Sequence, residues 1–386
     1  MIEKDKKSRS KKRPAIPQRI KTKLWLASGG RCEFQGCNIP LWRDDSDFAE
    51  LNRSYIAHIY GYAENSARYD KILSPKLEKD FSNLMLMCDT HHRRIDSEKT
   101  RGQYPAERLI KMKKDHESRI EFLTGLTPDK RSHVVLFGSK IGVHESPLHI
   151  NRVHEALLPN YYPASPNPIE LGLSNSSFED SRDNYWNIQT ENLMTQFMQK
   201  IGTIKGTHEV QHFSIFALAP QPLLIKLGTL FSDIYSAEVY QLHREPSTWS
   251  WLDEDNEVRF EIIEPEATKK IVALKLELSA TIIDDRIIDV LGSDCDIWSI
   301  RHDNPNNDFL RSKADLQNFR KVMRIAFDRI KAKHGQDAKL HIFPAMPVSA
   351  AIELGRVWMP KADLPMIIYD QNWKREGFFK TITITN

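Results

Sequence analysis

The sequence has few cysteines and no long apolar run. Only four of its 386 residues are cysteine, which is too few for a disulfide scaffold and is typical of a protein from a reducing compartment. Every apolar run is far shorter than a membrane-spanning helix, and no apolar segment follows the charged N-terminus, so we expect neither a transmembrane helix nor a secretory signal. These absences predict a cytoplasmic protein with no membrane partner.

Length and charge divide the chain. Its 386 residues, 40% of them apolar, are enough for two or three domains with cores of their own. Residues 1–23 carry ten Lys and Arg against two acidic residues, a surplus of +8, so the rest of the chain sums to 3 − 8 = −5. Residues 1–16 are predicted to be a basic flexible tail, either simply solvated or an arm that grips DNA phosphates.

Metal-ligand residue types are concentrated in NLMLMCDTHHRRID, residues 83–96. Cys88 and His91 form a C-x-x-H pair, and His92 and Asp96 lie one helical turn apart. If a helix begins near Cys88, His91 and His92 project about 100° apart, so each imidazole can serve a different metal.

Two upstream cysteines, Cys32 and Cys37, complete the first of these half-sites. Three cysteines and one histidine make a closed tetrahedral set of the kind that holds structural zinc. We therefore predict that Cys32, Cys37, Cys88 and His91 bind Zn²⁺. The alternative is that His92 takes the place of His91.

His58, Asn83 and His92, flanked by these pairs, resemble the motif of zinc-stapled HNH endonucleases. The text RCEFQGC, then AHI, then NLMLMCDTHH carries the resemblance over about a hundred residues. It implies an α+β domain of the ββα-metal type over residues 17–124, with two short strands before the helix that carries His92. One departure is Ala57, which stands where many members have an Asp or His ligand.

The resemblance implies a metal-dependent endonuclease that hydrolyses DNA. His58 would be the general base, a role that suits an imidazole near pH 7. Asn83 would hold the His58 loop by hydrogen bonding, and His92 would bind Mg²⁺, or another divalent ion, at the scissile phosphate. Asp96 is the expected second ligand of that ion, the alternative being a salt bridge to Arg93 or a neighbour.

Beyond a predicted linker at residues 125–132, the chain alternates strands and helices and contains a weak duplication. Five residues recur at a constant displacement of 127 positions, and each copy is predicted to be a strand, a Pro-containing turn and a helix. The matched residues are Phe216, Pro220, Ile225, Leu227 and Gly228 in the first copy and Phe343, Pro347, Ile352, Leu354 and Gly355 in the second.

Residues 133–386 resemble a SAVED domain, in which two fused CARF-like Rossmann halves of α/β fold sense cyclic oligonucleotides. The segments FPAMPVSAAIELGR and STWSW carry this resemblance. The whole chain then resembles the HNH-SAVED effector nucleases of the bacterial antiphage system CBASS. That resemblance implies double-stranded DNA as substrate, a cyclic di- or trinucleotide as activator, and a homodimer that assembles further when the ligand binds.

A cyclic nucleotide needs backbone amides at helix N-termini, a few cations and flat side chains. Candidates follow from their places after strands, at a helix start or in a polar Trp-rich segment, and for each one ordinary packing, capping or solvation is the alternative. The predicted ligand-binding residues are Lys140, Trp249, Trp251, Ser279, Arg301, His302 and Ser349.

Two other functions compete with this one. The first is a restriction-type HNH endonuclease whose C-terminal domain reads DNA. The second is a non-catalytic zinc scaffold, for which Ala57 is the main argument.

Overall fold

The computed structural model describes residues 15–44, 48–140, 148, 150–172, 180–182, 184–204, 210–252, 258–372 and 377–385. The predicted basic tail, residues 1–16, lies outside these ranges except for its last two residues. The chain forms two compact units that divide between Thr127 and Pro128, inside the segment 125–132 predicted as a linker. Within the described ranges, no helix combines the length and the apolar character needed to cross a bilayer.

The first unit contains a strand pair followed directly by a helix. Its described elements are α1 (Gln18–Ala27), β1 (Ser54–His58), α2 (Leu73–Lys76), β2 (Leu84–Cys88), α3 (Asp89–Asp96) and α4 (Ala106–Thr124). β1 and β2 are antiparallel, with His58 opposite Leu84 and Ser54 opposite Cys88. Every residue of β2 is buried, because its apolar side chains pack on both faces. The predicted order of two strands and a helix carrying His92 is therefore present.

The second unit begins with a parallel sheet. Its first-half elements are β3 (Arg131–Gly138), α5 (Ile150–Leu157), β4 (Tyr162–Pro163), β5 (Ile169–Glu170), α6 (Tyr185–Phe197), β6 (His212–Leu218), α7 (Gln221–Phe231) and β7 (Ser236–Val239). The strand order is β4-β3-β6-β7, β5 also pairs with β3, and all of these pairings are parallel. α6 continues into a π-helical segment, Met198–Gly202.

A second sheet follows with the same parallel centre. Its elements are β8 (Glu261–Ile263), β9 (Ile271–Glu277), α8 (Asp284–Leu291), β10 (Cys295–Arg301), α9 (Lys313–His334), β11 (Leu340–Ala345), α10 (Val348–Val357), β12 (Met366–Asn372) and β13 (Gly377–Ile384). The order is β13-β12-β11-β9-β10-β8, in which β9 to β12 are parallel and the edge strands β8 and β13 are antiparallel.

Each half of the second unit has a topological switch point. In the first sheet β3 lies between β4 and β6, and in the second β9 lies between β10 and β11, so strands that follow β3 and β9 in the chain lie on both sides of them. Ligands of open α/β sheets bind outside the carboxyl ends of the strands at such points. A ligand site is therefore expected at the carboxyl ends of β3 and β6 and of β9 and β11.

The duplication is visible where α7 and α10 cross. A Cβ added to Gly228 would lie 2.0 Å from the carbonyl oxygen of Ile352, and a Cβ added to Gly355 would lie 2.0 Å from that of Ile225. The contact is reciprocal and joins residues displaced by 127 positions, as a pseudo-twofold axis through the crossing requires. The two helices belong to one core cluster that spans both halves.

We predict that Gly228→Ala destabilises the second unit by about 3 kcal/mol or more, because the clash is with a backbone carbonyl that side-chain repacking cannot remove. Urea unfolding followed by circular dichroism measures the change. Gly202→Ala is the matched control, since its Cβ would meet nothing closer than Met198 Cε at 3.8 Å. Equal midpoints for the two variants would contradict the close crossing.

Candidate functional site

The two upstream cysteines lie on a tight knuckle. Cys32 N–H donates to the Ile39 carbonyl at 3.1 Å, and Cys37 N–H donates to the Phe34 carbonyl at 3.0 Å. Gly36 turns the chain with a φ of +82°, which favours glycine. The knuckle is joined to β2 because the Cys88 N–H points at Cys32 Sγ, 3.4 Å away.

Cys32, Cys37, Cys88 and His91 bring one ligand atom each to within 4.8 Å of one another. Cys32 Sγ lies 3.8 Å from Cys88 Sγ and 3.8 Å from His91 Nδ1, and Cys88 Sγ lies 3.1 Å from His91 Nδ1. A zinc tetrahedron with Zn–S bonds of about 2.3 Å has S–S edges of about 3.8 Å. The predicted ligand set is thus assembled, and its dimensions fit zinc.

The two adjacent histidines point to different neighbours. His91 stacks on Phe34, with ring centroids 4.0 Å apart and planes at 6°, and faces the cysteines. His92 stacks on Tyr55 of β1 at 5.2 Å, and its Nε2 lies 3.9 Å from Asp96 Oδ2. The cluster therefore contains His91 and not His92, as the angular step along a helix predicts.

Burial governs the protonation of the cluster. Desolvation raises the pKa of the Cys32 and Cys37 thiols, and it lowers the pKa of His91, with Arg94 adding to the effect. His91 is therefore a neutral imidazole, as ligation requires. Buried thiols become thiolates only if a cation compensates the charge, so this donor set matches a bound divalent metal.

His58 ends β1 and is buried, with 6% of its surface exposed. Its Nε2 lies 3.0 Å from the Glu78 carbonyl oxygen, and its ring packs against Tyr62 at 5.5 Å. A carbonyl can only accept, so this contact places the proton on Nε2 and the lone pair on Nδ1.

Asn83 bonds to the chain that follows this histidine. Its side-chain oxygen accepts from Tyr60 N–H at 2.7 Å, and its amide nitrogen donates to the carbonyls of Tyr60 and Leu77 at 3.1 and 3.2 Å. Its own carbonyl accepts from Ile59 N–H at 2.8 Å. These bonds fix the residues that follow His58, which is the positioning role that the resemblance implies.

Asp96 has a partner that the sequence analysis missed. Arg68 Nη2 donates to Asp96 Oδ1 at 2.6 Å, whereas Arg93 pairs with Asp89 at 2.9 Å. Asp96 thus forms a salt bridge with a residue outside α3 and not with Arg93, the partner named in the alternative. Arg68 lies in the long loop between β1 and β2, outside every recognisable motif, and no sequence signal singled it out.

His92 and Asp96 are the residues predicted to bind the catalytic divalent ion. Octahedral Mg²⁺ with bonds of about 2.1 Å places neighbouring ligand atoms about 3.0 Å apart and opposite ones about 4.2 Å apart. The 3.9 Å between His92 Nε2 and Asp96 Oδ2 matches neither value, so one of the two side chains would have to move for both to bind one Mg²⁺. Ala57 is buried opposite Met85 and offers no ligand.

The turns at the two switch points are equivalent. After β3, Ser139 N–H donates to the Leu218 carbonyl at 3.2 Å, and after β9, Ser279 N–H donates to the Ala345 carbonyl at 2.7 Å. Leu218 and Ala345 are displaced by 345 − 218 = 127 positions, so Ser139 is the counterpart of Ser279. Lys140, a predicted ligand-binding residue, follows Ser139 directly in the first of these turns.

The first of these turns is held by a tyrosine. Tyr185 Oη lies 2.8 Å from Ser139 Oγ and donates to the Lys140 carbonyl at 3.1 Å. Desolvation raises the pKa of Tyr185 to about 12, so its hydroxyl stays protonated at neutral pH. In the second turn, Ser279 Oγ is buried and has no hydrogen-bond partner among the described residues.

The two predicted stacking tryptophans differ in burial. Trp249 is 1% exposed and packs edge-on against Phe216 at 5.4 Å inside the core, so it has no face for a ligand, which corrects the prediction for this residue. Trp251 is partly buried beside His243, with ring centroids 5.8 Å apart. Its indole N–H is buried without a partner among the described residues.

Ser349 does not cap α10. The N-cap is Pro347, without a side-chain cap, and Ser349 lies within the first turn, fully buried. Its hydroxyl donates to Gln241 Oε1 at 2.7 Å, and the same oxygen is 3.2 Å from the Ser349 N–H. Gln241 therefore does the capping, and the predicted ligand role of Ser349 is corrected to a contact between the two halves.

The last two candidates follow each other at the end of β10. Arg301 is exposed and pairs with Glu261, with Nε 2.9 Å from Oε2. His302 is buried, its Nε2 lies 2.8 Å from the Leu278 carbonyl, and Asn304 N–H reaches its Nδ1 at 3.4 Å. His302 thus supports the backbone instead of offering a donor to a phosphate, which corrects its prediction, whereas Arg301 stays a prediction.

Residues 194–384 match the family model of SAVED, the "SMODS-associated and fused to various effectors sensor domain". The match covers just under half of the chain and supports the SAVED component of the predicted architecture. A comparison with curated proteins found no match.

Several solved structures are distantly similar. The Acinetobacter baumannii Cap4 SAVED/CARF-domain containing receptor with the cyclic trinucleotide 2'3'3'-cAAA is 12% identical, with a TM-score of 0.43 over 73% of this chain and 56% of that chain. The same receptor without a named ligand is 13% identical, with a TM-score of 0.41 over 82% and 61%. The Moraxella osloensis Cap4 receptor is 12% identical, with a TM-score of 0.39 over 82% and 70%. The chain thus spans less than two thirds of the length of the Acinetobacter receptor.

We predict that the full-length protein purifies with about one zinc ion per chain and that Cys88→Ser loses it, because a closed four-ligand site does not hold the metal with three. Mass spectrometry of the metal content measures this. Cys295→Ser, a substitution of the buried cysteine of the second unit, is the matched control and should keep the zinc. Zinc retained by Cys88→Ser would contradict the assignment.

Proposed function

We propose that this protein is a DNA endonuclease controlled by a cyclic oligonucleotide, with the nuclease in residues 17–124 and the sensor in residues 133–386. One observation carries the nuclease half: neighbouring histidines of α3 point to different neighbours, His91 to the cysteines and His92 to Asp96. The family match supports the sensor half. In this proposal the protein acts in CBASS-type antiphage defence.

In the proposed reaction His58 is the general base. The Glu78 carbonyl holds the proton on Nε2, so Nδ1 takes the proton from the water that attacks the DNA phosphorus. Asn83 keeps the chain after His58 in place through its bonds to Tyr60 and Leu77. Burial of His58 supports this role, because a positioned base loses little energy to reorganisation.

His92 and Asp96 would hold the catalytic divalent ion. Such an ion neutralises charge on the phosphate oxygens and on the leaving 3′-oxygen when it is bound. The cysteine cluster is closed, with four protein ligands, so zinc there serves the structure of the domain. The two metals would thus lie on different faces of one short helix.

The sensor half would bind its ligand at the switch points. Phosphates of a cyclic di- or trinucleotide suit the N-termini of α7 and α10, which follow β6 and β11 directly. The hydroxyl of Ser279, the Lys140 ammonium, the Trp251 indole and the Arg301 guanidinium are the remaining candidates for contacts to it. We propose that ligand binding drives assembly of homodimers and so brings nuclease units together on double-stranded DNA.

A second candidate, the zinc scaffold, is favoured by one observation. Ala57 is 1% exposed on β1 and provides no metal ligand where the family commonly has one. In that case the first unit would serve to bind a partner. The cleavage experiment below separates the two functions, and a restriction-type enzyme would cut DNA without any cyclic nucleotide.

We predict that the full chain with Mg²⁺ cuts plasmid DNA when one member of a panel of cyclic di- and trinucleotides is added. His58→Ala should lower the rate by about 10²- to 10⁴-fold, because it removes the general base. Gel electrophoresis of the plasmid measures cleavage, and unchanged zinc content and unfolding temperature show that the variant is folded. Intact plasmid in every combination would favour the scaffold, and equal rates for both proteins would contradict the role of His58.

We also predict that Ser279→Ala weakens binding of the activating nucleotide about tenfold, the usual effect of one lost hydrogen bond to a charged group. Fluorescence anisotropy of a labelled cyclic nucleotide with the full chain measures the affinity. Ser312→Ala is the control, since that hydroxyl contacts Asp315 at the start of α9 and not a switch point. Weaker binding by Ser312→Ala together with unchanged binding by Ser279→Ala would contradict a nucleotide site at the switch point.

A further inference from the structure

We infer that Arg68 is a positioning residue that sets the spacing between His58 and the His92–Asp96 pair, an inference that rests on the proposed nuclease function. Arg68 lies in the loop that connects β1 to β2, and its backbone has a left-handed φ of +59°. Its side chain is 8% exposed. A buried arginine outside the zinc site and outside the predicted catalytic set needs a reason for its burial.

One side of the guanidinium is bonded to the end of β1. Nε donates to the Ile59 carbonyl at 2.7 Å, and Nη2 is 3.3 Å from the His58 carbonyl oxygen. These two carbonyls belong to the proposed base and to the residue after it. The position of the His58 backbone is therefore coupled to that of Arg68.

The other side of the guanidinium is bonded to the last turn of α3. Nη1 donates to the Ile95 carbonyl at 2.6 Å, and Nη2 donates to Asp96 Oδ1 at 2.6 Å. Carbonyls at the end of a helix lack intrahelical partners and carry partial negative charge, so a buried cation is stabilised there. Arg68 thus joins the strand that carries His58 to the helix that carries His92.

The bond to Asp96 also orients its carboxylate. With Oδ1 held by Arg68, the other oxygen, Oδ2, lies 3.9 Å from His92 Nε2. The planar, forked guanidinium can bond to two elements at once, whereas the ammonium of lysine carries the same charge at a single point. Arg68→Lys therefore removes the geometry and keeps the charge.

The experiment measures Mn²⁺ binding to the full-length, zinc-containing protein by electron paramagnetic resonance of unbound Mn²⁺. We expect Arg68→Lys to raise the Kd about tenfold, as loss of a residue that orients a metal ligand does. Arg93→Lys is the matched control, because it alters an exposed Arg–Asp pair on the same helix, and its Kd should stay within about twofold of the native value.

A second arm tests whether Arg68 acts through Asp96. In an Asp96→Asn background the further change Arg68→Lys should alter the Kd much less than it does in the native protein, since the contact that orients the carboxylate is already lost. Equal effects in both backgrounds would overturn this inference. A merely structural role would change the unfolding temperature and leave the Kd unchanged.

The outcomes separate the inference from the proposed function. Native protein that binds Mn²⁺ but never cuts plasmid removes the nuclease function, and the Arg68 comparison still decides the inference. If the native protein cuts plasmid and Arg68→Lys binds Mn²⁺ with native affinity, the inference alone is overturned. If the native protein neither binds Mn²⁺ nor cuts plasmid, both the inference and the proposed function are overturned. If Arg68→Lys loses its zinc, nuclear magnetic resonance of the native protein decides instead: the Arg68 Nε–H signal should shift on addition of Mg²⁺, and an unmoved signal overturns the inference.

Discussion

Four metal-ligand side chains from distant segments converge to within 4.8 Å, and the geometry of the first unit depends on this convergence. Cys32 and Cys37 come from the knuckle, Cys88 ends β2, and His91 lies on α3. Since α3 starts immediately after Cys88, metal coordination at Cys88 and His91 would fix the rotation of the helix about its own axis. That rotation in turn decides where His92 points, because neighbouring helical residues project about 100° apart. A structural metal would thus orient the face of α3 that carries His92.

The second unit depends on a different constraint, the close approach of α7 and α10. Gly228 and Gly355 leave room for the backbone of the opposite helix, and any side chain there would push the two halves apart. The crossing also brings the starts of the two helices together, since Gln221 Oε1 accepts from Met346 N–H at 3.2 Å and Gln241 caps α10. The ends of the strands at both switch points are held in one unit by these contacts.

The metal-ligand cluster and the duplicated halves could be predicted from the sequence, because cysteine and histidine at ligand spacing have few other roles and a repeat is visible as a constant displacement. Cysteine and histidine at ligand spacing identified the cluster, and the constant displacement of 127 positions identified the paired halves. The two short strands before the helix that carries His92 are present as predicted, and they end at His58 and Cys88. Patterns of this kind are visible in the sequence because they depend on residue types at fixed spacings.

Residues whose roles depend on distant partners were missed or misassigned. Arg68 is bonded to three backbone carbonyls from two elements, and backbone acceptors have no sequence signature. Trp249 belongs to a polar segment of the sequence, but its side chain packs in the core. The Ser349 hydroxyl donates a hydrogen bond to Gln241, which lies more than a hundred residues earlier in the sequence. Ser139 became recognisable only when the strand pairing aligned the two switch points.

Anomalous X-ray diffraction from crystals of the full-length protein soaked in Mn²⁺ would test the central claim that one short helix serves two metals. The account predicts a zinc-edge peak among Cys32, Cys37, Cys88 and His91, and a separate manganese peak about 2.2 Å from both His92 Nε2 and an Asp96 oxygen. A map with zinc in its place and no manganese beside His92 would contradict the proposed catalytic site. A manganese peak bound by other residues would contradict it equally.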